Sequence, residues 1–210
     1  MSAASKSLLE DYGRVLETLR RNDADVRFCV RSGSQVYGTA REGSDQDFLL
    51  VLADPNARQD LLWGKNLNVV VHGAGTYAKA LEDQSVFALE ALFAPEEHRL
   101  KEARPPFPYR PHVGRLFDSA KARSDSDWSK AKKKFDEEPE VSKKRALHSL
   151  RVLAFAVQVA EVGRIGDFRV ALPWWEQMRA ADYQTWDAVE ENYGRMRNNL
   201  LDDLRRRARR

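Results

Sequence analysis

Two acids and a Gly-Ser pair are the residues in this chain whose types and spacing could do chemistry. They lie in Arg31-Ser32-Gly33-Ser34-Gln35-Val36-Tyr37-Gly38-Thr39-Ala40-Arg41-Glu42-Gly43-Ser44-Asp45-Gln46-Asp47, which runs straight into Phe48-Leu49-Leu50-Val51-Leu52. Asp45 and Asp47 alternate on what reads as a strand, so both carboxylates point to one face. Carboxylates about 7 Å apart along a strand can reach a pair of divalent ions spaced about 3.5–4 Å. Gly33 and Ser34 sit where a strand hands over to a helix start, whose N–H groups and positive dipole end suit a phosphate. Glycine permits close backbone approach, and the serine hydroxyl can donate to a phosphate oxygen. A phosphate cradle beside a metal-binding strand is what a metal–nucleotide site requires.

The flanking elements must hold these groups in place. Val26–Val30 reads as the strand that leads into Gly33. Phe48–Leu52 is apolar on both faces, as expected of a central strand covered on both sides. Ser7–Arg21 carries Leu8, Leu9, Tyr12, Val15, Leu16 and Leu19 at helical spacing, which predicts an amphipathic first helix. Asp54-Pro55-Asn56 stops the central strand, and Ala57–Trp63 is expected to form one or two helical turns. Asn66–His72 reads as a third strand, with Asn68, Val70 and His72 on one face and Leu67, Val69 and Val71 on the other. A helix over Thr76–Asp83, capped by Thr76, and another over Ser85–Phe93 follow. Pro105-Pro106-Phe107-Pro108-Tyr109-Arg110-Pro111 has four prolines in seven residues and can continue neither a helix nor a central strand. Beyond it the pattern is helical: Val113–Asp136, Pro139–Val162 ended by Gly163 and Gly166, Pro173–Ala180 with Trp174 and Trp175 at a packing seam, and Asp182–Arg207. The expected fold class is α+β, with a mixed sheet and flanking helices over residues 1–105 and a helical domain over residues 106–210.

Gly-Ser, ten residues, then Asp-x-Asp resembles the signature of the DNA polymerase β-like nucleotidyltransferase superfamily. Tyr37-Gly38 and Ser44 resemble its stand-alone RNA-repair-type members from bacteria and phages. The match covers residues 33–52 and loosens afterwards. The resemblance implies transfer of an NMP from an NTP to an acceptor, with ATP the expected nucleotide and Mg²⁺ (or Mn²⁺) the cofactor. It implies that Asp45 and Asp47 are catalytic metal ligands and that Gly33, Ser34, Tyr37 and Ser44 bind the nucleotide. In the superfamily a third carboxylate commonly comes from a strand at about residues 66–72, and here that strand has no acid. Asn68 is the metal-site candidate in its place; an amide carbonyl can ligate Mg²⁺, but it brings no negative charge and cannot act as a base. Glu90, in Leu89-Glu90-Ala91-Leu92-Phe93, matches a Glu on a helix of the RNA-repair-type relatives. It is the candidate catalytic acid reaching in from a helix; a surface Glu beside apolar neighbours is the plain alternative.

Lys144, His148 and Arg151 fall at i, i+4 and i+7 on one helix face, beside a packing face of Leu147, Leu150, Leu153 and Ala154. A core-backed row of Lys, His and Arg suits a triphosphate or a nucleic-acid backbone, and this stretch also resembles the helical segment that follows the catalytic domain in those relatives. A solvated basic stripe is the alternative.

Composition bounds the partners. Of 210 residues, 42% are hydrophobic, enough for a core, and 32% are charged. The net charge of +3 hides an asymmetry: residues 1–100 hold 11 Lys/Arg against 15 Asp/Glu, and residues 101–210 hold 24 against 17. On charge alone the basic second half fits either a polyanion or a set of solvated helices; together with the resemblance to RNA-repair-type members it favours RNA as the acceptor, a tRNA or another RNA end, with protein hydroxyls and small molecules such as aminoglycosides open. The Arg205–Arg210 run either holds RNA phosphates or ends a helix where positive charge suits the dipole. A single cysteine, Cys29, precludes an intramolecular disulfide, and His72, His98 and His112 have no partners at zinc-ligand spacing. No run approaches the ~20 apolar residues of a membrane span, and Met1–Lys6 lacks the hydrophobic segment of a signal peptide, so a cytoplasmic protein without membrane contact is expected. The competing reading follows from the missing third acid: a catalytically weakened nucleotide- or RNA-binding regulator, antitoxin-like or a phage effector.

Overall fold

The computed structural model describes residues 3–64 and 66–209. The side chains of residues 3–8, 63 and 64, with Leu8 of the expected apolar stripe and Trp63 among them, and the terminal Arg210 lie outside the described part. The chain forms two compact units, Met1–Glu82 with Phe87–Arg110, and Asp83–Val86 with Pro111–Arg210.

The first unit is built on a five-stranded mixed sheet of order β3-β4-β2-β1-β5. Its strands are β1 (Val26–Ser32), β2 (Gln46–Leu52), β3 (Asp60–Gly64), β4 (Leu67–Gly73) and β5 (Arg99–Lys101). β2 runs parallel to β4, and the other pairs are antiparallel. The apolar run of β2 is buried throughout from Phe48 to Leu52, as a central strand requires. Helix α1 (Ala3–Leu19) lays Tyr12 and Val15 on the face formed by Phe48, Leu50, Leu52, Leu67, Val69 and Val71. Alternation then sends Asp47, Leu49 and Val51 of β2, with Asn68, Val70 and His72 of β4, to the opposite face. There the His72 ring stacks on Phe87 at 5.1 Å. Single-turn α2 (Ser34–Tyr37) follows β1, and α3 (Ala74–Glu82) and α4 (Val86–Leu92) follow β4.

Three local expectations are corrected. Ala57–Trp63, expected to form helical turns, instead runs into the edge strand β3 from Asp60, which pairs Gly64 with Leu67 and Leu62 with Val69. A short apolar run has too few residues for its period to choose between helix and strand, and here pairing with β4 chooses. Asn66, at φ 61, supplies the left-handed residue at that turn. Thr76 does not cap α3, which already begins at Ala74; the Ala74 and Gly75 N–H groups donate to the Asp54 and Pro55 carbonyls at 3.1 and 3.2 Å. Main-chain oxygens of the loop after β2 thus do what a side-chain cap would. Asp45 lies just before β2 rather than on it.

The second unit is helical: α5 (Val113–Lys134), α6 (Pro139–Val162), α7 (Leu172–Ala180) and α8 (Trp186–Ala208). Pro139 at the first turn of α6 and Gly163 at φ 76 after its last turn are the start and stop chemistry that helix ends favour. The His112 ring and the Thr185 hydroxyl accept from the first-turn N–H groups of α5 and α8. The core gathers Trp128, Phe135, Leu147, Leu150, Trp175, Met178 and Trp186, with Trp128 and Trp186 edge to face at 5.1 Å.

Candidate active site

The site grows from the junction of β1 and α2. Gly33 stands there at φ 72 and ψ −155, a conformation open to glycine and strained for any other residue. A Cβ built on it would lie 2.1 Å from Asp47 Oδ2. The glycine is therefore required twice, for the backbone turn and for the carboxylate that lies against it. The Val36 and Tyr37 N–H groups turn back to the Gly33 carbonyl at 3.0 and 3.2 Å and close α2. Because α2 is one turn long, an anion at this corner would be met by local N–H groups more than by a macrodipole. Among the described residues the Ser34 hydroxyl has no hydrogen-bond partner, which leaves it able to donate to a ligand.

Parallel pairing of β2 with β4 sets Asp47 beside Asn68. The Asn68 amide nitrogen lies 3.0 Å from Asp47 Oδ1 and 3.4 Å from Asp45 Oδ2, so one amide faces both carboxylates. Burial pushes the Asp47 carboxyl above the usual range, Asp45 nearby adds to the rise, and the Asn68 hydrogen bond offsets part of it. The corner therefore holds more negative charge than its own donors satisfy. Two hard-oxygen carboxylates and an amide, without further acids, fit Mg²⁺, which is commonly held by one or two carboxylates together with substrate phosphates. Among the described residues no group of three or more His, Cys, Asp or Glu gathers into an all-protein cage. Ser44 closes the turn before Asp45: its hydroxyl accepts from the Arg41 N–H at 2.8 Å and its own N–H donates to the Arg41 carbonyl at 2.9 Å.

Glu90 is half-buried on α4, and the Tyr37 hydroxyl donates to its Oε2 at 2.6 Å. Tyr37, itself buried, ends the one-turn helix that Gly33 begins.

In the helical unit the basic row on α6 divides. Lys144 is exposed, while Arg151 is 7% exposed. His148 turns its Nδ1 to Asp127 Oδ2 at 2.7 Å. Asp127, 2% exposed on α5, also accepts from Arg123 Nε at 2.7 Å. Burial alone would raise the Asp127 carboxyl, but the His148 hydrogen bond and charge and the Arg123 guanidinium hold it below the usual range. Sequence reasoning missed Asp127; its signal was the Arg123/Asp127 pair at i, i+4, hidden in a lysine-rich helix. At the end of α8, Arg205 pairs with Asp202 at 2.8 Å, Arg206 with Asp203 at 3.4 Å, and Arg207 with Asp203 at 3.2 Å and Glu161 at 3.8 Å.

Spectinomycin adenyltransferase from Enterococcus faecialis, solved with ATP and spectinomycin, matches over 95% of this chain and 99% of its own, at 14% identity and a TM-score of 0.50. At that identity the likeness is one of fold: the chain shares the fold of that adenyltransferase. A nucleotidyltransferase-like protein from Exiguobacterium sibiricum also matches, at 13% identity and a TM-score of 0.33, over 98% of this chain and 73% of its own. No family model and no curated protein matches the sequence. In this chain Gly33, Asp47 and Asn68 meet at one end of the paired strands β2 and β4, and Tyr37 leads from there to Glu90. No helix among the described residues is long and apolar enough to cross a membrane.

Proposed function

We propose that the protein is a nucleotidyltransferase that moves an NMP group from an NTP, with ATP the first choice, to an acceptor hydroxyl. The acceptor oxygen attacks the α-phosphorus, the bond from that phosphorus to the bridging oxygen breaks, and pyrophosphate leaves. The observation that carries this reading is the contact between Gly33 and Asp47, where even a methyl group would collide with the carboxylate. It supports the phosphate turn and the acidic pair acting as one site.

Asp45 and Asp47 would hold Mg²⁺, and the Asn68 amide, which turns its nitrogen to both carboxylates, would flip to present its oxygen. When bound, the ion supplies charge neutralisation for the phosphates and for the attacking and leaving oxygens. Gly33 and Ser34 take the β- and γ-phosphates through main-chain N–H groups and the serine hydroxyl. Ser44 keeps the turn that delivers Asp45. Glu90 accepts the proton of the acceptor hydroxyl, the duty that neutral Asn68 cannot perform. Within the helical unit, exposed Lys144 on α6 is the residue of the basic row we assign to contact with a polyanion.

For the acceptor we favour a small hydroxylated molecule over RNA. Arg205, Arg206 and Arg207 each have a carboxylate of Asp202, Asp203 or Glu161 within 4 Å, which offsets part of their positive charge. The fold likeness over 95% of the chain is to a spectinomycin adenyltransferase solved with ATP and spectinomycin. A regulator without transfer is the second reading, favoured by an Asn68 amide that already faces both carboxylates.

The test is incubation with α-labelled ATP and Mg²⁺ or Mn²⁺, in parallel with total RNA and with a panel of aminocyclitols and aminoglycosides. Label in a small molecule is expected. Label in RNA overturns the acceptor class, and tight ATP binding without label anywhere overturns transfer in favour of the regulator.

A further inference from the structure

We propose that Tyr37 is a positioning residue that fixes the carboxylate of Glu90 for proton acceptance, and that it does not contact the nucleotide. The proposal rests on the reading of Glu90 as the base. Its observation is the 2.6 Å bond from the Tyr37 hydroxyl to Glu90 Oε2, a length typical of an O–H donating to a carboxylate.

The base needs such a partner because its backbone alone does not aim it. Helix α4 is held by buried Ala88, Leu89 and Ala91, and this settles the Cα of Glu90. The side chain beyond it has three torsions and a half-exposed carboxylate, so without a partner that carboxylate samples several rotamers. The Tyr37 ring, by contrast, is buried, and its helix is closed at both ends. Gly33 takes the Val36 and Tyr37 N–H groups on its carbonyl, and Gly38, at φ 74, returns its N–H to the Ser34 carbonyl. The phenol oxygen is thus a fixed point, and Glu90 is referenced to it.

The consequence is a single rigid link across the site. The four residues of α2 begin at the glycine that Asp47 packs against and end at the phenol that holds the base. One element therefore sets the spacing between the acidic pair and the proton acceptor, and no long loop intervenes. Productive attack needs that spacing held within a fraction of an ångström.

The test uses wild type, Tyr37→Phe, Glu90→Gln and the double variant. The readout is pyrophosphate release from ATP and Mg²⁺ with water as acceptor, and again with spectinomycin. Calorimetric ATP affinity and thermal unfolding are measured beside it. Tyr37→Phe is expected to lower kcat about 10- to 100-fold, as misplacement of a catalytic group does, while KM and affinity for ATP stay within about twofold. The double variant is expected to match Glu90→Gln, because a positioner has nothing to position once the base is gone. Tyr37→Phe at full kcat, a tenfold loss of ATP affinity, or a double variant that falls below Glu90→Gln by the full single-variant factor would each overturn the role of Tyr37. Undiminished release by Glu90→Gln, or no release by wild type, overturns the base itself and the proposal with it.

Discussion

Replacing Asp47 by Asn should stabilise the unliganded protein while abolishing its metal-dependent nucleotide binding. The Asn68 nitrogen lies 3.0 Å from one carboxylate and 3.4 Å from the other, so the two facing oxygens are at most 6.4 Å apart. Two unit charges at that separation repel by about 0.6 kcal/mol in water and about 2.6 kcal/mol at an effective dielectric of 20. Burial adds a desolvation cost for the ionised Asp47, the first cause of its raised carboxyl. Asn keeps the shape and the oxygen that accepts from Asn68, and it removes the charge. A net gain of about 1 kcal/mol follows after screening, equivalent to about 2–4 °C in Tm for a chain of this size. The assay is thermal unfolding in EDTA, paired with calorimetric titration of ATP in Mg²⁺. Affinity should fall by more than about 100-fold, since loss of even an outer-shell partner costs 10- to 100-fold. A lower Tm for Asp47→Asn in EDTA would refute the charge argument, and unchanged Mg²⁺-dependent affinity would remove Asp47 from the metal site.

Gly33→Ala should cost about 1–3 kcal/mol, because it strains a glycine-only backbone and drives a methyl into Asp47; ATP binding measured by calorimetry should vanish with it. Asp127→Asn should act oppositely to Asp47→Asn and lower stability by about 2–3 kcal/mol in urea unfolding, since it weakens a buried acceptor of His148 and Arg123. The Asp127 carboxyl is held below its ordinary value in the fold, so its contribution is present above about pH 4 and is lost as pH falls further; the variant should flatten that acid limb. His72→Phe should add about 1 kcal/mol near pH 5.5, because neither ring nitrogen of this 3%-exposed histidine has a partner among the described residues. Burial lowers the His72 value, so wild type is fully stable above about pH 6.5 and loses stability as pH falls, a loss the variant should lack in pH-dependent melting.

What the sequence made legible was local chemistry under strong constraint. An apolar run flanked by turns announced β2 as central, and its burial from Phe48 to Leu52 follows from that position in the sheet. Gly33 announced a special turn, but only the packed structure shows that Asp47 occupies the space its side chain would need. β3 was illegible because five residues carry too little period, and its state was decided by a strand later in the chain. The α6 face was legible as Lys144, His148 and Arg151 in a row. Whether such a row meets solvent depends on a neighbouring helix, and α5 brings Asp127 to His148. Partners across elements are tertiary facts, and a single helix pattern does not name them.

On the proposed reading, Asn68 and Glu90 share the duties of a third acid, so that the site works with Asp45 and Asp47 alone. A third strand carboxylate would serve both as metal ligand and as proton acceptor, and it would sit against two like charges no more than 6.4 Å apart. Asn68 in that place keeps an oxygen that can face a cation and adds no repulsion, so the unliganded fold tolerates the corner better. The proton duty then passes to an acid on a helix, away from the metal-facing pair. Such an acid needs its own aim, and the Tyr37 hydroxyl at 2.6 Å supplies it. On this reading the neutral Asn68, the helix acid Glu90 and the buried phenol of Tyr37 are one solution, and changing any of them alone should disturb a different step: ion retention, proton acceptance or alignment.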